Sequence, residues 1–334
     1  MKAMVLNEIA PVEESPLELS DVPAPEPEEG QVRVRVGVCA VCRTDLHVIE
    51  GDLERKKMPV IPGHQVVGVV DKLGDGCRRF KEGDRIGVAW LRETCGECQF
   101  CTTGRENLCR QQRFTGYHAD GGYAEYAVVP EEYAYRIPDA FDDVAAAPLL
   151  CAGIVGYRAF KRSNPRDGGT LAIYGFGSSA HVIMQIATHH GMKVYVVSRG
   201  EEHRKLAEEM GAVWTGENAE DMPVKVDSAI IFAPVGHLVP PALKQLEKGG
   251  TLSLAGIHMT PIPEMDYKET VFYERDIHSV TANTREDGEQ LLAEAAEIPV
   301  KPRTTTYPLK QANQALQDLK NDKLNGTAVL VLRQ

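Results

Sequence analysis

The segment Gln31-Val32-Arg33-Val34-Arg35-Val36 turns every second side chain to an apolar face. Strict alternation of this kind predicts a half-buried strand. Shorter runs of the same texture recur at residues 68–70, 84–88 and 123–129, separated by Gly, Asp and Pro turns, so the first part of the chain is expected to be mostly β. Helix signals are sparse until Asp142, where an Ala-rich stretch begins that Pro148 interrupts. From residue 170 the pattern changes. An unbroken apolar run at 170–174 meets a Gly-rich turn and a helical run at 180–190. A strand at 193–197, a charged helix at 201–210, a strand at 229–232, a helix near 238–246 and strands at 251–254 and 277–281 follow. Strands alternating with helices predict a doubly wound parallel sheet. A helix around 285–296 and a strand at 327–331 close the chain.

At 334 residues the chain is long enough for two separate cores. Its 43% hydrophobic and 25% charged residues are ordinary for a folded protein. The formal net charge of −11 argues against nucleic acid or an anionic membrane as an electrostatic partner. The longest near-apolar run, 144–157, is too short to span a bilayer, and residues 1–10 do not read as a signal peptide. The expectation is a cytoplasmic protein without a membrane partner. Its eight cysteines should then be reduced, which directs attention to metal ligation or catalysis.

Cys95, Cys98, Cys101 and Cys109 form a C-x2-C-x2-C-x7-C cluster. Four thiolates this close can wrap one Zn²⁺ tetrahedrally, and a closed four-sulfur site is structural because no coordination position is left for chemistry. An iron–sulfur cluster is the rival, but ferredoxin-type runs end in a shorter spacing followed by Pro, where this chain has Arg110. Cys42 and His64 offer two further zinc ligands, in Cys42-Arg43-Thr44-Asp45-Leu46-His47 and in Pro62-Gly63-His64-Gln65. A catalytic zinc needs a third from elsewhere. Gly175-Phe176-Gly177-Ser178-Ser179-Ala180 fits G-x-G-x-x-A between a predicted strand and helix, the context in which the two glycines let backbone approach a dinucleotide pyrophosphate at a helix N-terminus. The next strand ends in Ser198 and Arg199, where readers of an unphosphorylated ribose place a carboxylate. With Arg204 one turn further on, these residues predict NADP(H). Cys39 and Cys77 fit no ligand spacing and read as core; Trp90, Leu91, Phe114 and Tyr117 fit either core or a substrate pocket.

Taken together and in this order, these motifs resemble those of the zinc-dependent alcohol dehydrogenases of the medium-chain dehydrogenase/reductase superfamily, over essentially the full length. The resemblance implies an α/β protein with two domains: a mostly-β GroES-like catalytic domain at 1–151 and 287–334, and a Rossmann domain at 152–286. It supplies Cys151 as the third catalytic ligand, just ahead of a predicted helix start. Asp45 would orient His64, Thr44 would accept the substrate proton and pass it towards His47, and Arg43 would contact the pyrophosphate. Two zinc ions per chain, a primary alcohol or aldehyde as substrate, and a homo-dimer or tetramer follow from the same resemblance. A polyol or aromatic-alcohol dehydrogenase and a non-catalytic nucleotide-binding protein are the other readings. The chain departs from the family pattern at Gln65, where Glu is usual, and at Gly326-Thr327, where an Arg is often found.

Overall fold

In the computed structural model the alternating run lies inside a ten-residue strand, Gln31–Ala40, with Val32, Val34, Val36 and Val38 buried. The outward Arg33 is clamped by both carboxylate oxygens of Asp71 on the neighbouring strand, at 3.1 and 3.0 Å. The structure describes residues 1–54, 56–257, 259–298 and 300–332.

The chain folds as two units, Met1–Cys151 with Ala282–Gln334, and Ala152–Thr281. The first is built on a seven-stranded sheet. Its path runs Thr304–Pro308, Thr327–Val331, Gln31–Ala40, Gln65–Leu73, Arg85–Val88, Ala134–Arg136, with Tyr126–Pro130 also paired to Gln31–Ala40. All these pairings are antiparallel except the one between the last two strands of the chain. The return into this unit comes at Ala282, five residues ahead of the 287 expected from sequence. The intervening residues are tied to the first unit: Asn283 Nδ2 donates to the Tyr135 hydroxyl at 3.4 Å, and the Arg285 backbone N–H donates to Glu106 at 2.8 Å. Residues 333 and 334 of the expected domain lie outside the described residues.

The second unit carries six parallel strands in the spatial order third, second, first, fourth, fifth, sixth: Trp214–Gly216, Lys193–Val197, Thr170–Tyr174, Val226–Ile231, Leu246–Leu254 and Asp276–Ser279. This is the doubly wound dinucleotide-binding order. Its first strand shows why the sequence read as an unbroken apolar run: Leu171, Ala172, Ile173 and Tyr174 are all fully buried, because helices cover both faces of a parallel sheet. Trp214–Gly216 was not legible, being only three half-buried residues. Among the described residues no single helix is long and apolar enough to cross a membrane.

Candidate active site

Cys42 ends the loop after Gln31–Ala40 and caps an eight-residue helix, Arg43–Glu50, that the alternation pattern did not announce. Its Sγ accepts from the Thr44 N–H at 3.3 Å, while the Asp45 carboxylate accepts from the Cys42 N–H at 2.9 Å. The spacing of these residues is thus a reciprocal capping box. His64 enters from the start of Gln65–Leu73. It follows Gly63, whose φ of +94° suits glycine and where a Cβ would lie 2.3 Å from the Tyr123 ring. Cys151 closes the 3-10 turn Ala147–Leu150.

These three separate elements bring the Cys42 and Cys151 Sγ atoms and a His64 nitrogen within 4.8 Å of one another. Cys42 Sγ and His64 Nε2 are 3.2 Å apart, while the other ring nitrogen, Nδ1, lies 3.2 Å from Asp45 Oδ1. The second oxygen of Asp45 accepts from the buried Tyr123 hydroxyl at 3.1 Å. A buried imidazole with its back nitrogen on a carboxylate and its front nitrogen beside two thiols is a donor set suited to zinc, three of the four ligands a tetrahedral ion takes. Burial by itself would depress His64, but Cys42 and Asp45 outweigh it and push its pKa up to about 10. Burial, reinforced by Cys151, raises the Cys42 thiol well above its ordinary range. A cation bound at these ligands would displace such protons.

Thr44 is buried one residue past the capping thiol's neighbour, and His47 stands on the same helix with Nδ1 2.8 Å from Asp52. Arg43 Nη2 lies 2.6 Å from Asp322, and both side chains are at least half exposed, so solvent screens the pair and leaves the guanidinium open to exchange. Gln65 is fully buried with neither amide atom hydrogen-bonded; a carboxylate there would cost more to desolvate. The Trp90 ring meets the His64 ring edge-on at 4.8 Å and stacks on Phe114 at 4.7 Å and Tyr117 at 5.9 Å. Leu91 and Cys39 are core residues, and Cys77 packs partly buried against the same core.

The four cysteines of the lobe also converge, with Cys95–Cys101, Cys98–Cys101 and Cys95–Cys109 sulfur separations of 3.9, 3.6 and 3.6 Å. Sulfurs about 2.3 Å from a common tetrahedral zinc would be about 3.8 Å apart, so the cluster fits that ion without rearrangement. Backbone N–H groups of Cys98, Cys95 and Gln111 point at the sulfurs of Cys95, Cys109 and Cys109 at 3.4, 3.5 and 3.3 Å. Backbone hydrogen bonds, that from Cys101 foremost, lower the Cys98 thiol to about 7. All eight cysteines are free thiols.

In the second unit Gly175 takes a φ of +87°, and a Cβ on it would come within 3.0 Å of the Ala233 backbone nitrogen. Gly177 caps the helix Ser178–His189 without a side-chain bond, and open space lies where its Cβ would be. A backbone turn with unshielded N–H groups at a helix start fits a pyrophosphate. Phe176 is buried against His181, so its side chain belongs to the core, whereas Ser178 and Ser179 border the turn. Ser198 is buried and Arg199 exposed at the end of the next strand. Arg204 differs from the expectation of a free second charge: its Nη1 is committed to the carbonyls of Ser198 and Arg199, both at 2.8 Å, and to Glu217 at 3.0 Å. Tyr123, Asp52, Asp322 and Glu217 are therefore partners that motif reading did not find. Only the Cys42–Asp45 capping spacing carried a local signal.

Sequence models of two families match the chain: the alcohol dehydrogenase GroES-like domain over residues 28–139 and the zinc-binding dehydrogenase over residues 179–297. A probable alcohol dehydrogenase of Mycobacterium tuberculosis is 47% identical, the alignment covering 99% of this chain and 97% of the relative. An alcohol dehydrogenase of Geobacillus stearothermophilus is 39% identical with 100% of both chains covered. Among solved structures, a cinnamyl alcohol dehydrogenase of Sorghum bicolor superposes with a TM-score of 0.90 at 26% identity, covering 99% of this chain and 97% of that one.

Proposed function

We propose, for a chain that belongs to the zinc-type alcohol dehydrogenases of the medium-chain dehydrogenase/reductase superfamily, that it interconverts primary alcohols and aldehydes with NADP(H). The observation that carries the reading is the convergence of Cys42, His64 and Cys151 from three elements, with Asp45 behind the imidazole. Cys42, His64 and Cys151 would hold a zinc ion, which would supply Lewis-acid polarisation of the substrate oxygen, and a bound nicotinamide would supply the hydride acceptor or donor. The chain's residues supply the remainder. Asp45 and Tyr123 fix the His64 ring so that Nε2 faces the two thiols. The buried Thr44 hydroxyl takes the substrate proton and passes its own towards His47. Asp52 accepts from His47 Nδ1 and so holds the imidazole in place on the helix. The Gly175–Ser179 turn would cradle the cofactor pyrophosphate. Arg43, its pair with Asp322 screened by solvent, is open to exchange that carboxylate for a phosphate. Ser198 and Arg199 read the 2′-phosphate. The four-cysteine lobe would hold a second, structural zinc.

A second reading is favoured by one observation: the Trp90–Phe114–Tyr117 stack beside His64 offers an aromatic face to an aryl alcohol. Metal analysis combined with a panel of aliphatic, polyol and benzylic alcohols against both nicotinamides tests the proposal. Two zinc ions per chain with turnover of primary alcohols are expected. One zinc or none, with nucleotide binding but no turnover, would return the chain to the non-catalytic reading.

A further inference from the structure

The loop after the second strand of the nucleotide unit carries charge that linear order conceals. The Ser198 N–H donates to Gly216 O at 2.9 Å, so the ends of Lys193–Val197 and Trp214–Gly216 lie side by side, and Glu217 follows directly. Arg204, on the helix Glu201–Glu209, reaches back to this junction and meets Glu217 Oε1 at 3.0 Å while bonding the Ser198 and Arg199 carbonyls. The Arg204 side chain is 19% exposed and Glu217 59%. The other carboxylates of the first helical turn, Glu201 and Glu202, are held by Lys205 at 2.9 and 3.6 Å, and Glu208 accepts from the Thr215 hydroxyl at 2.6 Å. Arg199 is exposed, and among the described residues its side chain makes no hydrogen bond or ion pair. The junction therefore holds one uncommitted cation and one cation already matched by an anion.

We propose that Glu217 is a determinant of cofactor choice that opposes Arg199: it occupies Arg204 and sets a carboxylate beside it, lowering the preference for a 2′-phosphorylated dinucleotide. The inference rests on the reading that this strand end meets the adenosine ribose. A phosphate arriving at the junction gains Arg199 but encounters an Arg204 whose charge is neutralised and a carboxylate that repels it. A ribose diol is not repelled. The preference for NADP(H) that Arg199 favours is then narrowed, with Arg199 and Glu217 pulling the ratio in opposite directions. Linear charge accounting could not reveal this, because Glu217 lies on the third strand and reaches the site only through sheet pairing.

Adenosine 5′-diphosphate and adenosine 2′,5′-bisphosphate, titrated calorimetrically into the full-length zinc-loaded protein, measure the effect, with kcat/KM for NADPH and NADH alongside. Glu217→Gln is expected to raise the 2′,5′-bisphosphate preference about tenfold, and Glu217→Lys more, with the kcat/KM ratio moving in parallel. In the double variant Glu217→Gln/Arg204→Gln most of that gain should disappear. Glu217 is exposed, so an unchanged melting temperature accompanies these shifts. A ratio that stays within about twofold of wild type in both Glu217 variants, while Arg199→Asp lowers it, overturns the role of Glu217 and leaves the ribose reading standing. If Arg199→Asp also leaves the ratio unchanged, or neither nucleotide binds the wild type, the ribose reading fails and takes the inference with it.

Discussion

The two sulfur-rich centres of the first unit are assembled in opposite ways. The lobe gathers Cys95, Cys98, Cys101 and Cys109 from fifteen consecutive residues, three of the four partly exposed, with backbone N–H groups addressing the sulfurs of Cys95 and Cys109. The other centre draws Cys42, His64 and Cys151 from positions more than a hundred residues apart, in a buried setting where a carboxylate and a tyrosine hydroxyl orient the imidazole. A local site spends its ligands closing a loop; a distributed one relies on an already formed sheet to keep a coordination position open. Loss of a ligand should therefore affect chemistry in one place and folding in the other.

The sharpest break of this contrast is Cys42→Ser or Cys151→Ser. Either should reduce kcat/KM on the order of a thousandfold, equivalent to about 4 kcal/mol, while calorimetric nucleotide affinity changes little. Substantial turnover in both variants would erase the distinction. Cys98→Ser should act the other way round. We expect the loss of one zinc and roughly 3 kcal/mol of stability, with residual activity in the fraction that stays folded, measured by metal analysis and thermal unfolding.

Asp45→Asn tests the distributed centre more gently, since the ligands remain and only their orientation is loosened. Metal affinity or kcat should fall about 10- to 100-fold, and Tyr123→Phe should cost less, because Asp45 keeps its bond from the Cys42 N–H.

An effect of similar size, on stability and not on chemistry, is expected at Glu106, which ties the lobe to the helix Arg285–Glu297. Its carboxylate accepts from Arg285 Nη2 at 2.8 Å, Nε at 3.0 Å and the backbone N–H at 2.8 Å, and Arg285 lies over the Tyr133 ring. Burial would raise the Glu106 pKa, but these bonds more than offset it and hold it below the ordinary 4.5. A carboxylate depressed on folding stabilises above its unfolded pKa and loses that contribution as pH falls through the folded one. Glu106→Gln should cost about 2 kcal/mol at neutral pH and flatten the decline in stability below about pH 5, as urea midpoints across pH would show. Equal slopes in both proteins would mean that the pair does not titrate with folding.

The contrast between the centres also explains what could be read from sequence. The lobe was legible because its geometry is a matter of spacing. The parallel unit was legible because Leu171–Tyr174 has no polar face to show. Cys151 could be assigned only through family resemblance, since a place just ahead of a helix start favours a thiolate but does not by itself mark a ligand. Helix Arg43–Glu50 escaped the alternation reading because its start is set by a capping thiol and carboxylate instead of apolar periodicity. The boundary at Ala282 was misplaced because contacts to Tyr135 and Glu106, some 150 and 180 residues earlier, decide it. Glu217 was missed for the same reason, because strand pairing has no signature in linear charge order.

One pairing in the first sheet bears on how the protein is made. Thr327–Val331 lies between Thr304–Pro308 and Gln31–Ala40, and the Val41 N–H, one residue before Cys42, donates to Ala328 O at 2.8 Å. On a translating ribosome the backbone that aims Cys42 is unfinished until Thr327–Val331 has emerged. The lobe and every strand of the inserted unit are already outside by then. Vectorial synthesis thus completes the backbone of the lobe early and defers that of the three-ligand centre until Thr327–Val331 is made, so that in a nascent chain stalled before Thr327 the four cysteines would be ready to take up a metal while the other centre would be unformed.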